Sequence, residues 1–390
     1  MKRGWKRYLN KWLILYMGIG VFVALLNVIA WNSTAFCDSY IAHIFPIWVN
    51  TYGRLTGLAP FSVGEILLGL GVLLVVLAGV LWIPWLVTAI VGKLRKKPLS
   101  GAGRGLRIFY LFFAWTLLIV CLIMTLNCFI LYHAGTFSET YFGDDDGKYT
   151  LEELITVRNM VVEECNRLSL LMERDDEGNI LYDGDLEQAA IESMQKLGKT
   201  YDRLDGYYPR PKPLYTSDFF SQQYMCGYYF PFSMEANYNT VMYIMNKPST
   251  LCHELAHLRG YIFEDEANFI SYLACIRSDD IVYQYSGYLS VLNYLDNDFY
   301  KAVWRDREAY LEQPRISSRV SKDNVFVTDD EWERINGKAL IDTETVEAVS
   351  DAVVDTTLKV NGVADGMISY SRVVRLLLQY YSSGQNEGGN

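Results

Sequence analysis

Two histidines four residues apart, His253 and His257, enclose a glutamate in the run STLCHELAHLRGYIFEDEANFISYLA, residues 249–274. On a helix that separation turns the chain through about 400°, so both imidazoles project from one face, one turn apart. The spacing lets them reach a single zinc ion at about 2.0–2.1 Å. Glu254 is rotated by about 100° from His253 and addresses a water at the metal rather than the metal itself. In HExxH chemistry this glutamate takes the proton of the attacking water and delivers it to the leaving amine, while zinc polarises the carbonyl. An ordinary helix with His and Glu paired on a solvated face spells the same letters. The neighbours argue for the metal. Gly260 offers a helix-breaking turn, and Glu264, Asp265 and Glu266 offer a third ligand directly behind it.

Two of those acids compete for the ligand position. In the pattern HExxHxxGxxH the third ligand would fall on Phe263, which cannot coordinate, and Glu264 is the next residue. The run EDEAN also fits the ExxxN helical pattern with which several glutamate-liganded zinc peptidases carry their third ligand. Glu264 is then the ligand, and Asn268, one turn on, supports a ligand histidine from behind. Glu266 is the rival, because it too lies within reach of a flexible turn. Peptide hydrolysis also needs a donor for the developing oxyanion. Tyr285 in YSGY is a candidate for this role, with core packing as the plainer alternative. Glu235 and Asn237 in PFSMEANYN either line a cleft beside an edge strand that grips extended peptide, or close a hairpin as turn residues.

Pro248, Ser249 and Thr250 make a sound helix start, so a helix is expected over 249–259 and a second, apolar one from near Glu264. The preceding stretch GYYPRPKPLYTSDFFSQQYMCGYYFPFSMEANYNTVMYIMNKP is rich in Tyr and Phe and punctuated by Pro and Gly, which predicts short strands and turns. Upstream, DDDG followed by Glu153 suggests a calcium loop, but its first position would be Phe142, which cannot bind calcium. Thr150 and Glu153 read better as a capping box opening an amphipathic helix. Further helices are expected over about 186–197, 287–313 and 370–381. Residues 314–345 read as polar loop, and 384–390 as a disordered tail. No internal repeat is present.

Three long uncharged segments precede all of this: Trp12–Trp31, Ile66–Gly92 and Ile108–Tyr132. At about 1.5 Å per residue, each can cross a hydrocarbon core of about 30 Å, the second with a kink at Pro84. The first is too long for a signal peptide and lacks a small-residue cleavage site. Five basic residues precede it and six lie between the second and third, whereas the loop between the first and second has only Arg54. Basic residues favour the cytoplasmic side, which puts the N-terminus inside and the C-terminal part outside. Residues 1–132 hold 12 basic and 2 acidic residues, and residues 133–390 hold 23 and 43. A C-terminal part this acidic would repel a phosphate backbone, so nucleic acid is not an expected partner. The seven cysteines include no CxxC pair. Cys165, Cys226, Cys252 and Cys275 outside the spans are expected as buried thiols, with a disulfide among them as the alternative.

The segments GYYFPFSMEANYN, HELAHLRGYIFEDEANFISYLAC, YSGY and TTLKVNGVADGMISYSRVVRLLL together resemble an uncharacterised family of bacterial membrane proteins, domain-of-unknown-function family 3810. The resemblance covers most of the chain, spans included. It implies a zinc metallopeptidase of the bacterial envelope and brings no substrate. EDEAN behind HExxH also resembles the zinc-peptidase domain that cleaves phage-type repressors and, more distantly, membrane peptidases related to the CAAX-processing protease. The short gap between His257 and Glu264 departs from both.

The expected architecture is a membrane domain, residues 1–132, followed by a mainly α, zincin-like α+β domain with a small β element, residues 133–383. The expected function is a membrane-anchored zinc metalloendopeptidase acting on an envelope or extracellular protein or peptide, with zinc on His253, His257 and Glu264. The competing expectation is a non-catalytic zinc-bound sensor or scaffold. A transporter fits poorly, since the spans carry almost no buried charge.

Overall fold

A computed structural model of the chain describes residues 2–95, 101–143, 149–360 and 370–383. It is mainly helical, 71%, with one small three-stranded sheet. The DDDG run and residues 384–390 lie outside the described residues.

Three helices are long and apolar enough to cross a membrane: Lys11–Asn32, Val63–Val91 and Gly101–His133. The second continues through Pro84. The third ends in a π turn, Thr125–Phe129, and a short 3-10 turn, Leu131–His133. Asn27 on the first span donates to Thr125 Oγ1 on the third at 2.9 Å, and Tyr110 on the third donates to the Ala78 carbonyl on the second at 2.6 Å.

The C-terminal helical body is built around the HELAH helix, Lys247–His257, with Pro248 in its first turn, where a missing N–H costs nothing. It packs on the EDEAN helix, Glu264–Ile276, on Leu186–Gly198 and on Ile281–Ala302. Leu151–Ser169 covers Ile281–Ala302 from outside, and it opens with the Thr150–Glu153 capping box complete in both directions. The core filling these contacts is strongly aromatic, with Phe137, Tyr261, Phe269, Tyr272, Tyr283 and Tyr285 all fully buried. Tyr370–Ser382 closes the EDEAN helix on another side.

The stretch expected as polar loop, 314–345, instead holds the helices Ser318–Asp323 and Asp329–Lys338 and the start of Thr343–Val360. Side-chain caps and tertiary contacts make up for its weak apolar pattern. Ser317 caps the first of these helices, and Asp323 at its end pairs with Arg174 at 2.7 Å. All seven cysteines are free thiols, and Cys252 and Cys275 lie with their sulfurs 3.8 Å apart.

In the sheet, β1 (Lys212–Pro213) runs parallel to β3 (Glu235–Tyr238), and β2 (Gly227–Phe230) runs antiparallel to it. The order β1-β3-β2 puts β3 in the centre. Glu235 and Asn237 therefore sit on the central strand, paired directly with the edge strand β2. The two edge strands are β1 and β2.

Residues 34–62, between the first two spans, fold into short helices that pack on the helical body. Ile41, Phe45 and Val49 are buried there. Thr56 Oγ1 donates to the Ser233 carbonyl at 2.7 Å. A buried ion pair ties the same segment to the sheet: Lys212 Nζ lies 2.5 Å from Glu235 Oε1 and donates to the carbonyls of Thr56 and Phe61. Glu235 in turn accepts the Val63 and Gly64 amides, the first of the second span. Each charge thus gains a full set of partners, as a charge out of water requires.

Candidate metal centre

The HELAH helix brings the two imidazoles together as the four-residue spacing predicts. Their Nε2 atoms are 3.1 Å apart. Glu264, first residue of the EDEAN helix, completes the group, with Oε2 at 3.0 Å from His253 Nε2 and Oε1 at 3.8 Å from His257 Nε2. One donor atom from each of the three lies within 4.8 Å of the others. Tetrahedral zinc with bonds of about 2.0–2.1 Å separates its ligand atoms by about 3.3–3.4 Å. The three observed separations bracket that value.

The far side of each imidazole is also occupied. His253 Nδ1 lies 2.9 Å from Asn268 Oδ1, and His257 Nδ1 lies 2.7 Å from the Tyr261 carbonyl. Both acceptors need a proton on Nδ1, which leaves the Nε2 lone pairs facing each other. Two lone pairs at that distance repel unless a cation or a proton lies between them. Without a metal, Glu264 decides where the proton goes. Burial opposes charge on His253, but the hydrogen bond and charge of Glu264 raise it to about 9. Burial pulls His257 down to about 4. Crowding at the group removes part of the water around Glu264, whose side chain stays 53% exposed, yet its bond to His253 holds the carboxyl at about 2. A divalent cation would replace this shared proton with full ligation.

Glu254 stands beside the group, 4% exposed, and its Oε2 has no hydrogen-bond partner. Burial pushes its carboxyl up to about 8 against the pull of His253. A buried carboxylate oxygen without a partner is costly in a structural residue and useful in a proton carrier. β2 passes directly over it. A Cβ on Gly227 would come within 2.9 Å of Glu254 Oε1 and 2.5 Å of the Asn237 carbonyl, so only glycine lets the strand approach this closely.

The turn delivering Glu264 is held from outside. Gly260 adopts φ +82°, a conformation that L residues rarely take, and a Cβ there would meet Ile41 Cγ2 at 3.0 Å. Arg203 spans the turn, donating to the carbonyls of Arg259, Gly260 and Gly135 with its guanidinium over the Tyr261 ring. Sequence reading passed over Arg203, Gly227 and Tyr261. Nothing local marks Arg203, more than fifty residues upstream, whereas a glycine opening GYYF is the kind of signal a close strand approach leaves.

The remaining candidates lie elsewhere. Glu266 is buried and accepts the Phe137 amide, so it does not join the histidines. Tyr285 donates to Asp323 Oδ2 at 2.9 Å within the network that also holds Arg174. Glu235 is taken up by Lys212 and the second span. None of these three contributes to the group.

Fold and site together define a helical membrane protein that carries a possible His–His–Glu metal-binding group beside its spans. The chain belongs to the family described as protein of unknown function (DUF3810), whose model matches residues 40–378. Comparison with curated proteins and with solved structures gives no match.

Proposed function

We propose that this protein is a membrane-anchored zinc metallopeptidase with a zincin-like catalytic unit, facing the side of the membrane opposite its N-terminus. The observation that carries the proposal is the convergence of His253, His257 and Glu264 at zinc-like separations, with both Nδ1 atoms engaged and a partnerless carboxylate oxygen beside them. The donor set favours zinc among the common divalent ions, since two imidazoles and one carboxylate leave a fourth position open. Bound there, zinc would act as a Lewis acid toward the scissile carbonyl.

The chain's own residues supply the rest. Asn268 and the Tyr261 carbonyl orient the imidazoles and hold their Nδ1 protons. Glu254 Oε2 takes a proton from the attacking water and returns it to the leaving amine nitrogen as the C–N bond breaks. β2, as an edge strand over Glu254, can pair with an extended peptide and place its backbone at the group.

The test uses the purified full-length protein. One zinc per chain is expected, lost in His253→Ala and in His257→Ala. Glu254→Gln is expected to keep the zinc and abolish peptide cleavage. Substoichiometric zinc that is indifferent to both histidine variants would sink the assignment. A cellular phenotype that survives Glu254→Gln but not His257→Ala would instead favour a non-catalytic zinc-bound sensor.

A further inference from the structure

The metal group is not held away from the bilayer on a stalk. Trp31 and His133, at the ends of the first and third spans, pack with ring centroids 4.5 Å apart and ring planes inclined at 48°, and mark one level. Tryptophan at a span end belongs to the headgroup region. Tyr132, beside His133, packs its ring on Phe263 at 5.5 Å, and Phe263 immediately precedes the ligand Glu264. Two ring contacts therefore separate the metal group from the interface marker.

β2 lies at the same level or lower. Tyr229, whose ring is 6.0 Å from that of His257, donates to the Asn127 carbonyl of the third span at 3.1 Å. Asn127 Nδ2 donates in return to the Pro231 carbonyl at 2.8 Å. At the end of β2, Phe230 presses on Gly64 in the second span, where a Cβ would meet its ring at 2.7 Å. The third span has 33 residues, about 50 Å of helix against a hydrocarbon core of about 30 Å. The excess leaves Asn127–His133 among the headgroups.

The segment between the first two spans adds a third, independent feature. On one side Phe45, Val49 and Thr56 are buried against the helical body. Ile44, Ile47, Leu55, Leu58 and Phe61 are exposed, Leu58 at 81% and Leu55 at 64%. These exposed apolar residues, interspersed with exposed Asn50, Thr51 and Arg54, lie within residues 44–61 just ahead of the second span, where lipid is the surface that would cover them.

β2 thus leads from Glu254 at Gly227 to the start of the second span at Phe230. Taking the peptidase reading above as its basis, we propose that the substrate is a membrane-anchored peptide, bound along the free edge of β2 and cut within a few residues of the membrane surface. Four strand residues span about 13 Å, which sets the distance from membrane to scissile bond at about four residues. Water adds across the amide, the carbonyl carbon gains hydroxyl, and the anchored and released halves separate as acid and amine.

The test places the zinc-loaded full-length protein in lipid nanodiscs. It is given a peptide with a short randomised segment in three forms: free, lipid-anchored through a spacer of about four residues, and lipid-anchored through about twenty residues. The short-spacer form is expected to be cleaved faster than the free form by on the order of tenfold or more, with the advantage fading at the long spacer. Leu55→Asp/Leu58→Asp is expected to reduce that advantage while leaving zinc content and cleavage of the free peptide unchanged. Equal rates for all three forms overturn the substrate class and leave the peptidase reading standing. Stoichiometric zinc with no cleavage of any form overturns the peptidase reading, and the substrate class with it.

Discussion

At the scale of single residues, Asn268 and the two rival glutamates make the sharpest predictions. Asn268 touches no metal ligand atom, but it holds the Nδ1 proton of His253 and so aims Nε2 at the group. Asn268→Ala is expected to lower zinc affinity about 10–100-fold with the fold intact, measured by chelator competition. Glu264→Gln is expected to lose zinc outright. Glu266→Gln should not, because a glutamine carbonyl can still accept the Phe137 amide, and burial already pushes the Glu266 carboxyl up to about 8. Equal zinc loss in the two variants would show that the ligand assignment is wrong. His253 and His257 were readable from spacing alone because they lie one turn apart on one local helix, whereas spacing left Glu264 with Glu266 as its rival. The Tyr261 carbonyl was not readable, since a main-chain acceptor leaves no trace in residue type.

At the scale of elements, two glycines govern where the site can form. Gly260 takes a left-handed conformation and sits against Ile41. Gly260→Ala is expected to cost about 1–2 kcal/mol from the backbone alone, and more through the Ile41 contact, seen as a lower denaturant midpoint. Gly227→Val pushes β2 off the HELAH helix. It is expected to abolish turnover while zinc remains bound, because the added side chain meets Glu254 Oε1 and the Asn237 carbonyl rather than a ligand; unchanged turnover would remove β2 from the substrate path. The HELAH and EDEAN helices, the capping box at Thr150 and the aromatic strands all follow from local pattern. The helices within 314–345 do not, because their stability comes from caps and ion pairs such as Arg174–Asp323 rather than from an apolar stripe.

For the whole molecule, the division into a membrane half and a C-terminal half is crossed by a built joint. Lys212, Glu235, Thr56 and the first amides of the second span form one buried polar cluster. Lys212→Met leaves Glu235 as an unpaired buried charge, at an expected cost of about 3–5 kcal/mol. Lys212→Met/Glu235→Leu is expected to recover much of that, which thermal unfolding of the two variants in the same detergent would show. A chain begun after the third span would lack Ile41, Phe45 and Val49, and it is expected to aggregate or lose zinc.

The sequence by itself determined what depends on short spacing: three apolar spans, two imidazoles on one helix face, a glycine turn and an acid behind it. Only the tertiary structure put Glu264, and not Glu266, beside the histidines, because side chains two residues apart on the EDEAN helix point in different directions and only packing shows which meets them. It also decided that Tyr285 and Glu235 serve buried networks. The tie between the spans and the sheet is likewise tertiary. Its partners, Thr56 and Lys212, lie more than one hundred and fifty residues apart, and no local pattern reports a contact made through space.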